Sequence, residues 1–126
     1  MKGGDTGKRR QAERRGRFGE WLCRWHLRLH GWRIVARGWR CPAGEIDILA
    51  RRGGVLAVIE VKSRVALEGD ASAMPAPRQR RRIARAAAAF LKTRPDLVGL
   101  ALRFDLMQVP HRRLPRRQPA AWRVDD

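Results

Sequence analysis

Two short runs in this 126-residue chain set charged residues among aliphatic ones. Glu45-Ile46-Asp47-Ile48-Leu49-Ala50 is followed, after Arg51-Arg52-Gly53-Gly54, by Val55-Leu56-Ala57-Val58-Ile59-Glu60-Val61-Lys62. Two Ile/Val-rich runs around a Gly-Gly turn predict a β-hairpin. Strand side chains alternate faces, so Glu45, Asp47 and Leu49 share one face, and Leu56, Val58, Glu60 and Lys62 share another. A turn centred on Gly53-Gly54 pairs Arg52 with Val55. It thereby sets Asp47 opposite Glu60 and Glu45 opposite Lys62, with Cβ atoms about 4.5–5.5 Å apart.

Opposed carboxylates on apolar strands are destabilising unless something neutralises them. A divalent cation would do so, and two carboxylates with open positions suit Mg²⁺ or Mn²⁺. An ion held there can polarise a phosphodiester and activate water, while Lys62 stabilises developing charge or orients the nucleophile. A plain cross-strand ladder, with Glu45 paired to Lys62 and Asp47 facing water, is the competing reading, and the residues alone leave both open.

These strands need elements to hold them. Phe18, Trp21, Leu22, Trp25 and Leu29 recur at helical spacing between Gln11 and His30, which predicts an amphipathic helix packed through its aromatics and stopped by Gly31. A slimmer second face carries Gly16, Glu20, Cys23 and Leu27, small enough for a sheet to approach. From spacing alone Glu20 is a solvated helix carboxylate. Trp32 to Arg37 predicts a strand, Gly38 to Gly44 a turn-rich connection, and Ser63 to Pro77 a loop. Arg78 to Arg94 predicts a helix with Ile83, Ala87, Phe90 and Leu91 inward. Leu100 to Val109 alternates as a strand that Pro110 ends, and Trp122-Arg123-Val124 reads as a short closing edge strand. The order α-β-β-β-α-β defines an α/β fold, a mixed β-sheet flanked by helices. Residues 1–10 read as a flexible basic arm and 110–126 as a basic, Pro-rich segment, leaving 11–109 as the folded domain.

Charge narrows the partner. The chain has 29 Lys plus Arg against 12 Asp plus Glu, a formal +17, and is 44% hydrophobic. That is too apolar for a disordered tail, long enough for one modest core, and devoid of any run approaching the roughly 18 apolar residues of a membrane span. Two cysteines, Cys23 and Cys41, do not make a secreted disulfide scaffold. A small cytoplasmic domain with no membrane partner follows, and its expected ligand is a polyanion, nucleic acid first. Arg78, Arg80, Arg81, Arg82 and Arg85 cluster at a helix start, where cations oppose the macrodipole unless an anion joins them. Arg112, Arg113, Arg116 and Arg117 read as a second, mobile phosphate-binding arm. Cys23, His26, His30 and Cys41 lack the closely paired cysteines of a zinc site. Among the aromatics, Phe18, Trp21, Trp25 and Trp32 are assigned to packing, and Trp39, in the loop before the acidic motif, is the one to test for contact with a base.

Gly44-Glu45-Ile46-Asp47-Ile48-Leu49-Ala50 followed by Ile59-Glu60-Val61-Lys62-Ser63-Arg64 resembles the signature of the YraN-like family of uncharacterised bacterial proteins. That family is similar in fold to archaeal Holliday-junction resolvases and to the PD-(D/E)XK nucleases. Gly16 to Leu27 resembles its opening helix, including the glutamate at Glu20. Arg78-Gln79 with Arg81 and Ile83 resembles its basic helix, Arg103-Phe104-Asp105 its late strand, and Trp122 its closing tryptophan. Gly38 stands where the family often has Asn, and Arg78 where it often has Lys. The resemblance implies a restriction-endonuclease-like fold for residues 11–109. It also implies that Asp47, Glu60 and the Val61 carbonyl hold Mg²⁺ or Mn²⁺, that Lys62 is the catalytic lysine, and that Glu20 is an additional acid. Gln79 would lie on the helix beside the site and, with Arg78, Arg81, Arg82 and Arg85, bind nucleic acid. The implied activity is metal-dependent phosphodiester hydrolysis on structured or branched DNA. A non-catalytic nucleic-acid-binding module and an RNA-directed nuclease are the alternatives. The resolvases act as dimers, which implies a homodimer.

Overall fold

The computed structural model describes residues 17–62, 74–109 and 114–123. The sheet grows outward from the predicted hairpin. β1 (Arg33–Cys41) lies antiparallel to β2 (Gly44–Arg52), and β2 to β3 (Val55–Lys62). The predicted register holds, with Arg52 opposite Val55 and Ile48 opposite Ile59. Helix α2 (Pro77–Thr93) and a 3₁₀ turn at Pro95–Leu97 then carry the chain across to β4 (Ala101–Gln108), parallel to β3. A parallel neighbour requires such a crossover. β5 (Arg116–Trp122) closes the far edge antiparallel to β4, giving the order β1-β2-β3-β4-β5. Helix α1, over residues 17–29, precedes β1. The architecture is therefore α/β, a mixed sheet flanked by helices in the order α-β-β-β-α-β.

Alternation along β3 divides the core between the two faces. Leu56 and Val58 join Leu49, Phe104, Leu106 and Trp122 beneath Ile83, Ala86, Ala87 and Phe90 of α2. Ala57 and Ile59 join Ile48, Ala50, Met107 and Val109 beneath Cys23 and Leu27 of α1. β2 departs from strict alternation, since Ile46 and Leu49 both reach the α2 side. The irregularity brackets Asp47.

Three expectations change. The first strand runs on to Cys41, so the connection to β2 shrinks to Pro42-Ala43. Gly38 sits inside that strand with φ +56°, a left-handed backbone that a glycine accommodates and that makes the sequence look like a break. The closing strand is Arg116–Trp122, beginning well ahead of the expected Trp122; Pro119 is tolerated because β5 is an edge. Most substantially, α1 packs through its slim face. Gly19, Cys23 and Leu27 are buried, whereas Phe18, Trp21, Trp25 and Leu29 are exposed. Both stripes have helical periodicity, and bulk decides between them, because a helix lies close on a sheet only where its side chains are small. The arm at 1–10, the helix start at 11–16, most of the loop after β3, and Arg112 and Arg113 lie outside the described residues.

Candidate functional site

The β2–β3 ladder ends at Ile48–Ile59, and beyond it side-chain chemistry replaces main-chain pairing. The Val61 N–H donates to Asp47 Oδ2 at 2.9 Å. Glu60, on the α2 face of β3, is only 8% exposed. Gln79 of α2 donates from Nε2 to Glu60 Oε1 at 3.0 Å, and Lys62 Nζ lies 3.6 Å from the same oxygen. The Asp47 and Glu60 carboxyl groups are close enough to share a hydrogen bond. Asp47, Glu60, Val61, Lys62 and Gln79 thus come together where two strands part.

Burial, and then the Asp47 charge, push the Glu60 carboxyl up to about 8, with Lys62 pulling the other way. Burial also raises Asp47, against the opposing pull of the Val61 N–H. Two adjacent carboxyls that each oppose the other's ionisation are an arrangement that a cation would relieve. The donors are hard oxygens, and Mg²⁺ takes one or two carboxylates while keeping several waters, so the residues present fit Mg²⁺ or Mn²⁺. Among the described residues no three His, Cys, Asp or Glu side chains group closely enough to hold a metal, so Glu20 stands outside the immediate pair. It faces an open hollow of about 290 Å³ lined also by Arg17, Arg24, Arg37 and Gly38. Its carboxyl is raised by burial and by the Asp47 charge, which places it within electrostatic reach of the pair.

Glu45 does not face Lys62. It lies opposite Arg40 on β1 and pairs with it at 3.3 Å, both side chains well exposed, because β2 hydrogen-bonds to β1 rather than β3 at this end. Gly44, the first residue of the motif, holds α2 against the sheet: a Cβ there would lie 2.7 Å from the Arg82 carbonyl oxygen.

Arg78, Arg81, Arg82 and Arg85 line one open basin of about 470 Å³ with Pro42 and Ala43. The first turn of α2 contains no acid, and no side chain caps it. Arg117 is not part of a phosphate-binding arm: it lies 3.6 Å from Asp105, with its guanidinium over the Trp32 ring. Cys23 and Cys41 pack against cores on opposite faces of the sheet, and burial pushes the Cys23 thiol up to about 12, so neither contributes to a zinc site. Trp39 packs edge-on against Phe90 and is half-buried. Arg17, Arg24 and Arg37 around Glu20 were not foreseen; Arg37 alone had a signal, as the last residue of a predicted strand.

An α/β domain carrying an acid–acid–lysine group at a splayed hairpin is the class these observations define. The model of the uncharacterised protein family UPF0102 matches residues 19–109, and the chain belongs to that family. The UPF0102 protein of Paramagnetospirillum magneticum is 48% identical over 118 residues, spanning 90% of this chain and 91% of its own. That of Parvibaculum lavamentivorans is 50% identical over 113 residues, 89% of this chain and 84% of its own. That of Maricaulis maris is 47% identical over 117 residues, 93% and 91%. No helix among the described residues is long and apolar enough to cross a membrane.

Proposed function

We propose that this protein is a metal-dependent nuclease of the PD-(D/E)XK type, hydrolysing phosphodiesters in structured or branched DNA. One observation carries the reading: Asp47 and Glu60 lie side by side, with Lys62 and Gln79 on Glu60 and the Val61 N–H on Asp47. In this reading Asp47, Glu60 and the Val61 carbonyl hold Mg²⁺ or Mn²⁺. When bound, the ion supplies Lewis acidity toward the phosphodiester and lowers the pKa of a coordinated water. Gln79 fixes the Glu60 carboxylate by its hydrogen bond. Lys62, 3.6 Å from Glu60, donates to the developing charge or orients the attacking oxygen. The arginine basin at α2 holds a flanking phosphate beside the uncapped helix start.

The test incubates the purified chain with four-way-junction, flapped and linear DNA and with RNA, in Mg²⁺ or Mn²⁺ and in chelator. Metal-dependent cleavage of branched DNA that is lost in both Glu60→Ala and Lys62→Ala is the expected result. Binding without cleavage, indifferent to both substitutions, would identify a non-catalytic module instead. Cleavage confined to RNA would reassign the substrate.

A further inference from the structure

We propose that the outward face of α1 is a stacking platform for the bases of an unpaired nucleic-acid strand. Phe18, Trp21 and Trp25 are 59%, 46% and 47% exposed on a helix whose opposite face is committed to the core. Their rings form a continuous ladder: Phe18 stacks on Trp21 at 5.9 Å, and Trp21 meets Trp25 edge-on at 6.2 Å. A contiguous exposed patch of this kind marks an interaction surface.

Charge selects its occupant. The Arg28 guanidinium stands over the Trp25 ring at 5.6 Å, and Arg17 is exposed on the same helix, whereas Arg24 is buried against the Glu20 hollow. Glu20 is the one acid among helix residues 17–29, and it lines the hollow with Arg24, Arg37 and Gly38. A second copy docking through this face would bring two such arginine sets together on chains of +17 each. Bases offer π-faces to the rings while phosphates meet the guanidiniums, so a single strand satisfies both features at once. Duplex bases are already stacked on one another and cannot do this.

Phe18 and Trp21 flank Glu20 along α1. Where the inference rests on the nuclease reading above, an unpaired arm held on the platform makes the substrate class DNA with a single-stranded segment. The stacking itself does not depend on that reading.

The test titrates the full-length chain, in chelator so that no cleavage occurs, with oligothymidylate, with an abasic oligomer of equal length and with blunt duplex. Intrinsic tryptophan fluorescence and anisotropy are the readouts. Oligothymidylate is expected to quench fluorescence and to bind more tightly than the abasic strand. Trp21→Ala and Trp25→Ala should each weaken oligothymidylate binding about tenfold. They should leave abasic binding and the circular-dichroism melt unchanged, and Trp21→Phe should retain most of the affinity. Equal affinity for abasic and base-bearing strands would overturn the proposal. So would alanine variants that bind like the parent, a dimer that these variants dissociate, or vesicle binding through this face without strand preference. Because Glu60→Ala and Lys62→Ala leave the ladder intact, loss of cleavage and loss of stacking are separable.

Discussion

The Val61 N–H donates to the Asp47 carboxylate at 2.9 Å, just past the Ile48–Ile59 pair where the β2–β3 ladder stops. One side chain thereby takes over a hydrogen bond that a neighbouring strand's main chain would otherwise supply. The bond does two jobs. It satisfies a backbone donor that the parting strands would orphan, and it keeps Asp47 turned toward Glu60 instead of toward water. The unfavourable proximity of two acids is thus imposed by the fold, with Gln79 and Lys62 meeting Glu60 from the other side.

That proximity makes stability depend on pH. Glu60 is raised from 4.5 to about 8, and Asp47 is raised as well, both led by burial. The folded state therefore holds protons more tightly than the unfolded chain across the window from about pH 4.5 to 8. Unfolding releases them, so stability falls as pH rises through that window and levels off above it. Thermal melts of the metal-free protein should show a midpoint several degrees lower at pH 8 than at pH 5. Glu60→Gln should flatten the slope. Mg²⁺ should raise the midpoint more at pH 8 than at pH 5, because a bound cation replaces the shared proton. A parent protein with no slope would show that the pair is not coupled as described.

Much of this site was legible because a hairpin is a local object. A Gly-Gly turn between two β-rich runs leaves little freedom, so the Arg52–Val55 pairing and the Asp47–Glu60 neighbourhood followed from counting residues. Glu45 escaped because its partner, Arg40, is fixed by where β2 leaves β3, a tertiary event without a local signature. The packing face of α1 escaped for a related reason. Periodicity reports that a stripe exists, whereas the sheet's demand for slim residues chose Cys23 and Leu27 over the tryptophans. β5 was misplaced because Pro119 and two arginines disguise an edge strand.

Asp105 is the second aspartate that repairs a ladder. The β4–β5 register shifts between Phe104 and Leu106, and fully buried Asp105 accepts the Ala120 N–H at 2.9 Å where Ala120 takes a left-handed φ of 49°. Arg103 binds it through two hydrogen bonds of 2.8 Å, and Arg117 lies 3.6 Å away. Asp105→Ala would strand both guanidiniums beside Trp32 and orphan the Ala120 donor. The expected cost is about 3 kcal/mol, with hydrogen exchange accelerated first along β5. Denaturant titration measures the cost, and a loss under about 1 kcal/mol would show that β5 does not depend on this anchor.

Gly44 predicts a steric effect. Its missing Cβ is occupied by the α2 backbone, with the Arg82 carbonyl oxygen 2.7 Å from where the carbon would be. Backbone cannot rotate aside as a side chain can, so Gly44→Ala must push α2 outward, at about 1–3 kcal/mol. The displacement would also lengthen the Gln79–Glu60 bond and reduce any metal-dependent activity beyond the loss of stability. Gly54→Ala is the control: nothing lies within 4 Å of its Cβ position, and its midpoint should barely move.

The arginine basin separates binding from folding by opposite signs. Arg81 and Arg82 stand three and four residues from Arg78 and Arg85 on a helix whose first turn carries no acid, so like charges repel along one face. Removing either should stabilise the free protein by a few tenths of a kcal/mol, most at low salt. If the basin binds phosphates, the same substitution should weaken nucleic-acid binding for all sequences alike. It should also lower the slope of log affinity against log salt by about 1 for each arginine removed. Melting curves and salt-dependent anisotropy on Arg81→Ala and Arg82→Ala provide both readouts. A variant that melts higher yet binds worse with a shallower slope shows that the cluster is maintained for its ligand. A variant that melts higher and binds as the parent does would show that these arginines are solvated charges, and the path of the phosphate backbone would have to be sought elsewhere on the surface.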